Sequence, residues 1–407
     1  MSKKTFPHNF ATYLQLPYQQ ITTTMTYKYI TTLFLVIVLS TPLLSEEVNK
    51  EYYLHSIVQQ TIREDKQKAL DLWIDFLYET NDTIRRSNWV ASDIDKYEDD
   101  YCLFQNSYFQ FDRVTQLSYF VPFILSIEKN NSDYTIRTMF MQKEVKLSDI
   151  GKDNQQITSI VKVKVVEENG RLYLKNVIDD EVKKWNKYST KNINYIVNND
   201  IAIDTAKCNE AQKFLDETSK IWEKPLTQSV DYYVSNSPES INRIVGFDFS
   251  FYGGFGNGMA GRNGRYLFVG NGDFTYYHEL VHLVFNGAAN RLLSEGIATY
   301  LGGTNEKTYA EVKSDFQKEH YPLDSAKITE ISIYPGQRSY YVLGSIICEL
   351  VVNEKGIAGI KSIWDTAGYD DFSNGLADYN TLRERTQQLL DIDETELYKR
   401  VNNILSQ

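Results

Sequence analysis

His278, Glu279 and His282 stand in the order His-Glu-x-x-His, inside the stretch Phe274-Thr-Tyr-Tyr-His-Glu-Leu-Val-His-Leu-Val284. On an α-helix, side chains four apart lie one above the other on the same face, so both imidazoles can reach one ion. Glu279 is rotated by one residue step and can reach a water beside that ion. Two nitrogen ligands, an open coordination position and a carboxylate able to take a proton from water are the parts of a zinc hydrolase. The chain has only 5 histidines in 407 residues. Composition predicts about 0.06 His pairs at a given spacing, and about 0.01 with an acid beside the first, so chance explains the pattern poorly. The competing reading is an amphipathic core helix with two half-exposed histidines.

A third ligand is needed. The metzincin pattern would place Gly at 285 and His at 288, where this chain has Phe285 and Ala288. Downstream, Asn290-Arg-Leu-Leu-Ser-Glu295-Gly296-Ile-Ala298-Thr-Tyr300 opens a second apolar stretch, and Glu295 could complete a His/His/Glu set. Here the chain resembles the gluzincin metallopeptidases (the peptidase MA superfamily). The resemblance covers roughly residues 186–407, and its specific part is short. It implies that Glu295, followed by Gly and a small residue, is the third ligand to one Zn²⁺ per chain. The connection between His282 and Glu295 is compact, shorter than in the best-known members, and Gly287-Ala-Ala allows a tight turn. Without the resemblance, Glu295 reads as an exposed acid near a helix start. His320 is the reserve ligand.

The resemblance also implies an edge strand that binds substrate just before the zinc helix. Gly258-Met259-Ala260-Gly261 is the candidate, because a bare edge lets a peptide backbone approach and add a strand. A flexible loop over the site is the other reading. Aminopeptidase relatives carry a glutamate after Gly-x-Met to hold a free amine. This chain has Ala260 and Gly261 there, which favours an endopeptidase. Tyr341, in Tyr341-x-x-Gly344, resembles a tyrosine that stabilises the oxyanion in aminopeptidase-like gluzincins. A fixed donor in such a place lowers the barrier by about 3–4 kcal/mol. Tyr340 is the alternative, and simple packing competes with both, since the chain holds 30 tyrosines.

The positioning elements follow from periodicity. Phe274, Tyr277, Leu280, Val281 and Val284 recur at helical spacing, with Asp273 as a possible cap and Asn286-Gly287 as a stop. Asn263-Gly264 predicts a hairpin whose second strand is Tyr266–Val269. Ser339 to Gly356 reads as a helix with Leu343, Ile347, Leu350 and Val351 facing the core. The tail reads as helices over Ile357–Thr366, Tyr379–Leu390 and Glu394–Leu405.

Upstream, residues 46–80 read as one long helix ended by Asn81-Asp82, with His55 on its surface. Ile136–Met141 is a candidate strand, and Asn169-Gly170 joins the alternating runs Ile160–Val166 and Arg171–Val177 in a hairpin. Helix first and antiparallel strands after would suit a cone of the nuclear-transport-factor-2 type. The polar run from Lys183 marks a junction, and Ile193–Val197 is the expected first strand beyond it. Residues 1–45 carry three lysines and no acids, then the apolar Leu33–Leu39 and a small residue, Ser45. They read as a secretory signal peptide with translation starting at Met25. An uncleaved anchor is the other reading, although the apolar run is short for a span of about 20 residues. Cys102, Cys208 and Cys348 are odd in number and far apart, which argues against a disulfide framework. A net charge of −11 disfavours phosphate-driven nucleic-acid binding.

The expected protein is therefore α+β: a signal region (1–45), an accessory helix-plus-antiparallel-sheet domain (46–185), and a thermolysin-like, gluzincin-type domain (186–407) with a mixed sheet and a mostly helical C-terminal part. It would be exported, secreted or periplasmic, and would act on a peptide or protein substrate. An inactive zinc-binding protein and a zinc hydrolase of non-peptide substrates are the alternatives on the same scaffold.

Overall fold

The computed structural model describes residues 50–105, 111, 113–143, 157–251, 257–285, 290–304, 306–333, 337–364 and 375–407. The expected signal segment and the Gly287 turn lie outside these residues.

The first half builds a sheet with helices on one side. β1 (Tyr53–Leu54), α1 (Ser56–Thr61), α2 (Glu64–Tyr78), α3 (Asp82–Ser87), α4 (Ala91–Tyr97) and α5 (Arg113–Tyr119) precede β2 (Phe120–Asn130), β3 (Asp133–Gln142), β4 (Ile157–Glu168) and β5 (Arg171–Lys175). The long helix expected over 46–80 is thus broken. Ile62 and Arg63 are extended, and Ile57 points to solvent, so only α2 presents a continuous apolar stripe. Asn81 caps α3 with its side chain, and His55 caps α1 by accepting from the Ile57 amide. The β4–β5 hairpin turns at Asn169 and Gly170, both at positive φ, as an Asn-Gly pair permits.

α6 (Ile178–Glu181) leads into β6 (Asn186–Ser189), β7 (Ile193–Val197), α7 (Thr205–Trp222), β8 (Val230–Val234), α8 (Pro238–Val245), β9 (Phe247–Ser250), β10 (Gly258–Ala260) and β11 (Tyr266–Val269). The second sheet is mixed, in the order β10-β11-β8-β7-β6, with parallel pairs at its centre. It begins at β6, one strand before the expected Ile193. β9 returns to the first sheet and pairs with β4. A boundary at 185/186 therefore separates the two sheets except for β9.

The rest is helical: α9 (Tyr277–Val284), α10 (Arg291–Gly302), α11 (Tyr309–His320), α12 (Ser325–Ser332), α13 (Arg338–Trp364), α14 (Gly375–Leu390) and α15 (Glu394–Leu405). α13 is interrupted at Gly356, whose φ of 66° breaks the helix where its stop was expected. Tyr233 and Phe268 of the second sheet face the N-terminal core, while Tyr232 and Leu267 face the helices. The second sheet is thus a shared middle layer, and residues 50–407 form one compact unit. Among the described residues, no helix is long and apolar enough to cross a membrane. All three cysteines are buried and free.

Candidate metal centre

α9 carries the His-Glu-x-x-His residues. Its start is set from the sheet: the Tyr232 hydroxyl accepts from the Tyr276 amide at 3.1 Å and donates to the Asp273 carbonyl at 3.0 Å. Asp273 does not cap the helix. It lies too far upstream, and its carboxylate instead accepts from the amide and hydroxyl of Thr275. At the other end, Phe285 packs against both Trp222 and Trp364.

α10 brings Glu295 to the two histidines. Asn290 caps it, accepting from the Leu293 amide, and donates to the Asp378 carbonyl of α14 at 2.9 Å. α10 crosses α13 at two glycines. A Cβ on Gly344 would stand 2.2 Å from the Leu292 carbonyl oxygen, and one on Gly296 would stand 2.5 Å from the Gly344 backbone. Any larger residue would push apart the helices that carry Glu295 and Tyr341.

The ligand atoms converge. His278 Nε2 lies 3.1 Å from Glu295 Oε2 and 3.3 Å from His282 Nε2, and His282 Nε2 lies 3.5 Å from Glu295 Oε2. Among the described residues, these three form the one His/Cys/Asp/Glu group that could hold a metal. A tetrahedral zinc with ligands about 2.0–2.1 Å away separates those ligands by about 3.3–3.4 Å, so the donor set fits zinc. His278 Nδ1 lies 2.8 Å from the Gly303 carbonyl oxygen. A carbonyl can only accept, so Nδ1 holds the proton and Nε2 is the nitrogen that faces Glu295 and His282. Gly303 must be glycine: its φ is +75°, and a Cβ would stand 2.1 Å from the Lys307 carbonyl. His282 Nδ1 meets the Ser294 hydroxyl at 3.4 Å.

The charges agree with this geometry. Burial alone would lower the His278 pKa, but Glu295, Glu279 and the Gly303 carbonyl outweigh it and push it up to about 9. Burial alone would raise Glu295, but His282 and His278 hold it well below the usual carboxylate range. A positive charge between these groups is favoured, and without a metal a proton supplies it.

The other expected residues fall as follows. Glu279 faces β10 and accepts from the Ala260 amide at 2.9 Å. β10 is an edge strand and covers Gly258–Ala260, three of the four residues expected in an edge strand over Gly258–Gly261. Met259 is buried against the N-terminal core, and Gly261 donates inward to the Tyr266 carbonyl. The Tyr341 ring stacks on His278 with centroids 6.1 Å apart. Glu295 and then burial raise its hydroxyl pKa, while the Arg291 guanidinium, hydrogen-bonded to it, opposes the shift. Tyr340 turns away and donates to Asp378 at 3.1 Å. His320 packs on Phe316 and does not join the cluster. Sequence reasoning missed Arg291, Ser294 and Gly303. The Gly302-Gly303 pair at the end of α10 was the available signal for the last.

No protein-family model matches the sequence, and no curated protein matches it.

Proposed function

We propose that the protein is a zinc-dependent peptidase of the gluzincin type, with endopeptidase action favoured. In this reading residues 186–407 are a thermolysin-like domain, and residues 46–185 an accessory domain of the nuclear-transport-factor-2 type. The observation that carries the proposal is the convergence of His278 Nε2, His282 Nε2 and Glu295 Oε2 within 3.1–3.5 Å, beside a carboxylate held on the edge strand of a sheet.

His278, His282 and Glu295 would hold zinc, which when bound acidifies water and polarises a carbonyl. Glu279 takes the proton of the attacking water and returns it to the leaving amine. Tyr341, like any tyrosine, is protonated at neutral pH, and so keeps a hydrogen to donate to the oxyanion. β10 offers its edge to an extended peptide. Its side chains, Gly258 to Ala260, include no carboxylate to hold a free amine.

Glu279→Gln preserves shape and removes the base. Hydrolysis of an unfolded protein substrate should fall about 10²–10⁴-fold while zinc per chain stays unchanged. Near-normal turnover in that variant would rule out the role given to Glu279.

A further inference from the structure

We propose that the backbone N–H of Ala260 positions Glu279, so that β10 serves the base as well as the substrate. The contact stands on geometry alone. Its consequence for turnover rests on the hydrolase reading above.

β10 pairs with β11 through residues of one parity. Gly261 donates to the Tyr266 carbonyl at 2.8 Å, and Gly270 donates to the Asn257 carbonyl at 3.0 Å. Antiparallel alternation therefore turns the Ala260 N–H outward, away from β11. An outward amide on an edge strand ordinarily meets water or another strand. Here it donates to Glu279 Oε2 at 2.9 Å, a hydrogen bond strengthened when the carboxylate is ionised.

The close approach is built into the chain. A Cβ on Gly258 would stand 2.5 Å from the Tyr276 ring and 2.9 Å from Glu279 Cγ. Only glycine lets the strand lie this near α9. With one carboxylate oxygen held by the amide, the other is left to accept a proton. A peptide docking along β10 finds this rung already taken. The peptide unit opposite Ala260 then meets the carboxylate of Glu279 instead of a ladder bond.

Replacing Ala260 with lactic acid by nonsense suppression turns the N–H into an ester oxygen and leaves the side chain and backbone angles alone. In the zinc-loaded full chain, kcat should fall about 10- to 100-fold, with zinc content unchanged and KM altered less than about twofold. A raised KM with kcat intact would overturn the proposal and assign this N–H to substrate. A second measurement needs no turnover. In the zinc-free chain, amide hydrogen exchange at Ala260, read by NMR, should be at least about tenfold faster in Glu279→Ala than in the parent. Equal rates, with the rest of the spectrum unchanged, would overturn the contact. Absence of turnover in the parent would show before any variant is compared; it would overturn the hydrolase reading and the positioning role together.

Discussion

Two groups of partly buried charge are handled in opposite ways. On the first sheet, Lys162 is nearly buried, and its ammonium lies 2.8 Å from Glu181 and 3.1 Å from Asp248. Arg137 reaches the other oxygen of Asp248, and Lys164 bridges Asp180 and Asp133. Each charge meets its opposite, and the network ties β9 and α6 to the sheet. At the helical site, three groups that would each donate a lone pair point at one another instead. Such an arrangement is unfavourable unless a cation or a proton sits between them. Matched charge serves the fold in the first region, and the converging lone pairs of the second form a group that could hold a cation.

The most severe break of this contrast is Glu295→Ala. It removes the carboxylate that faces both imidazoles, and zinc per chain, measured by elemental analysis after reconstitution, should fall from one to near zero. Undiminished zinc would mean that another residue completes the site. The next largest effect is expected from Gly344→Ala, which forces a methyl against the Leu292 carbonyl. Urea unfolding should report a loss of at least about 2 kcal/mol, and zinc affinity should weaken with it, because the displaced helix carries Glu295. Lys162→Met is the counterpart on the first sheet. It leaves Glu181 and Asp248 about one-third exposed, so solvent softens the loss to about 1–2 kcal/mol. Zinc content should stay the same. A drop in zinc in that variant would show that the two regions are not separable in function.

Helix α9, the Asn169-Gly170 hairpin, the edge strand β10 and the last helix could all be read from the sequence, because each is set by local spacing or turn chemistry. The misses have physical causes. α1 and α2 share an apolar period on paper, yet two extended residues between them reset the helical phase. β6 is a solvent-facing edge held to β7 by backbone bonds, so its side chains carry no apolar signal. The return of β9 to the first sheet is a long-range pairing that no local pattern encodes. At the site, the His278, His282 and Glu295 side chains that converge were each legible as residue types at a spacing. The Gly303 carbonyl and the Ala260 amide are backbone groups, and a backbone group leaves no letter of its own.

The last expected effect is read only as a pH dependence and concerns a charge that the first region does not match. Asp93 is buried and accepts from the Asn176 amide and side chain at 2.7 and 3.0 Å. Burial outweighs these bonds and the nearby Lys175, and raises its pKa from 3.8 to about 6. Between about pH 4 and pH 6 the folded chain thus keeps a proton that the unfolded chain has released. By linkage, stability from this group is fully present below the unfolded value and is lost as pH rises through the folded one, by a total on the order of 3 kcal/mol. Asp93→Asn keeps an acceptor for Asn176 and removes the titration. Its unfolding free energy should be flatter than that of the parent between pH 4 and pH 6, with zinc content unchanged at neutral pH. An identical slope in the two proteins would mean that Asp93 is solvated well enough to ionise normally, and that the first region leaves no buried charge unmatched.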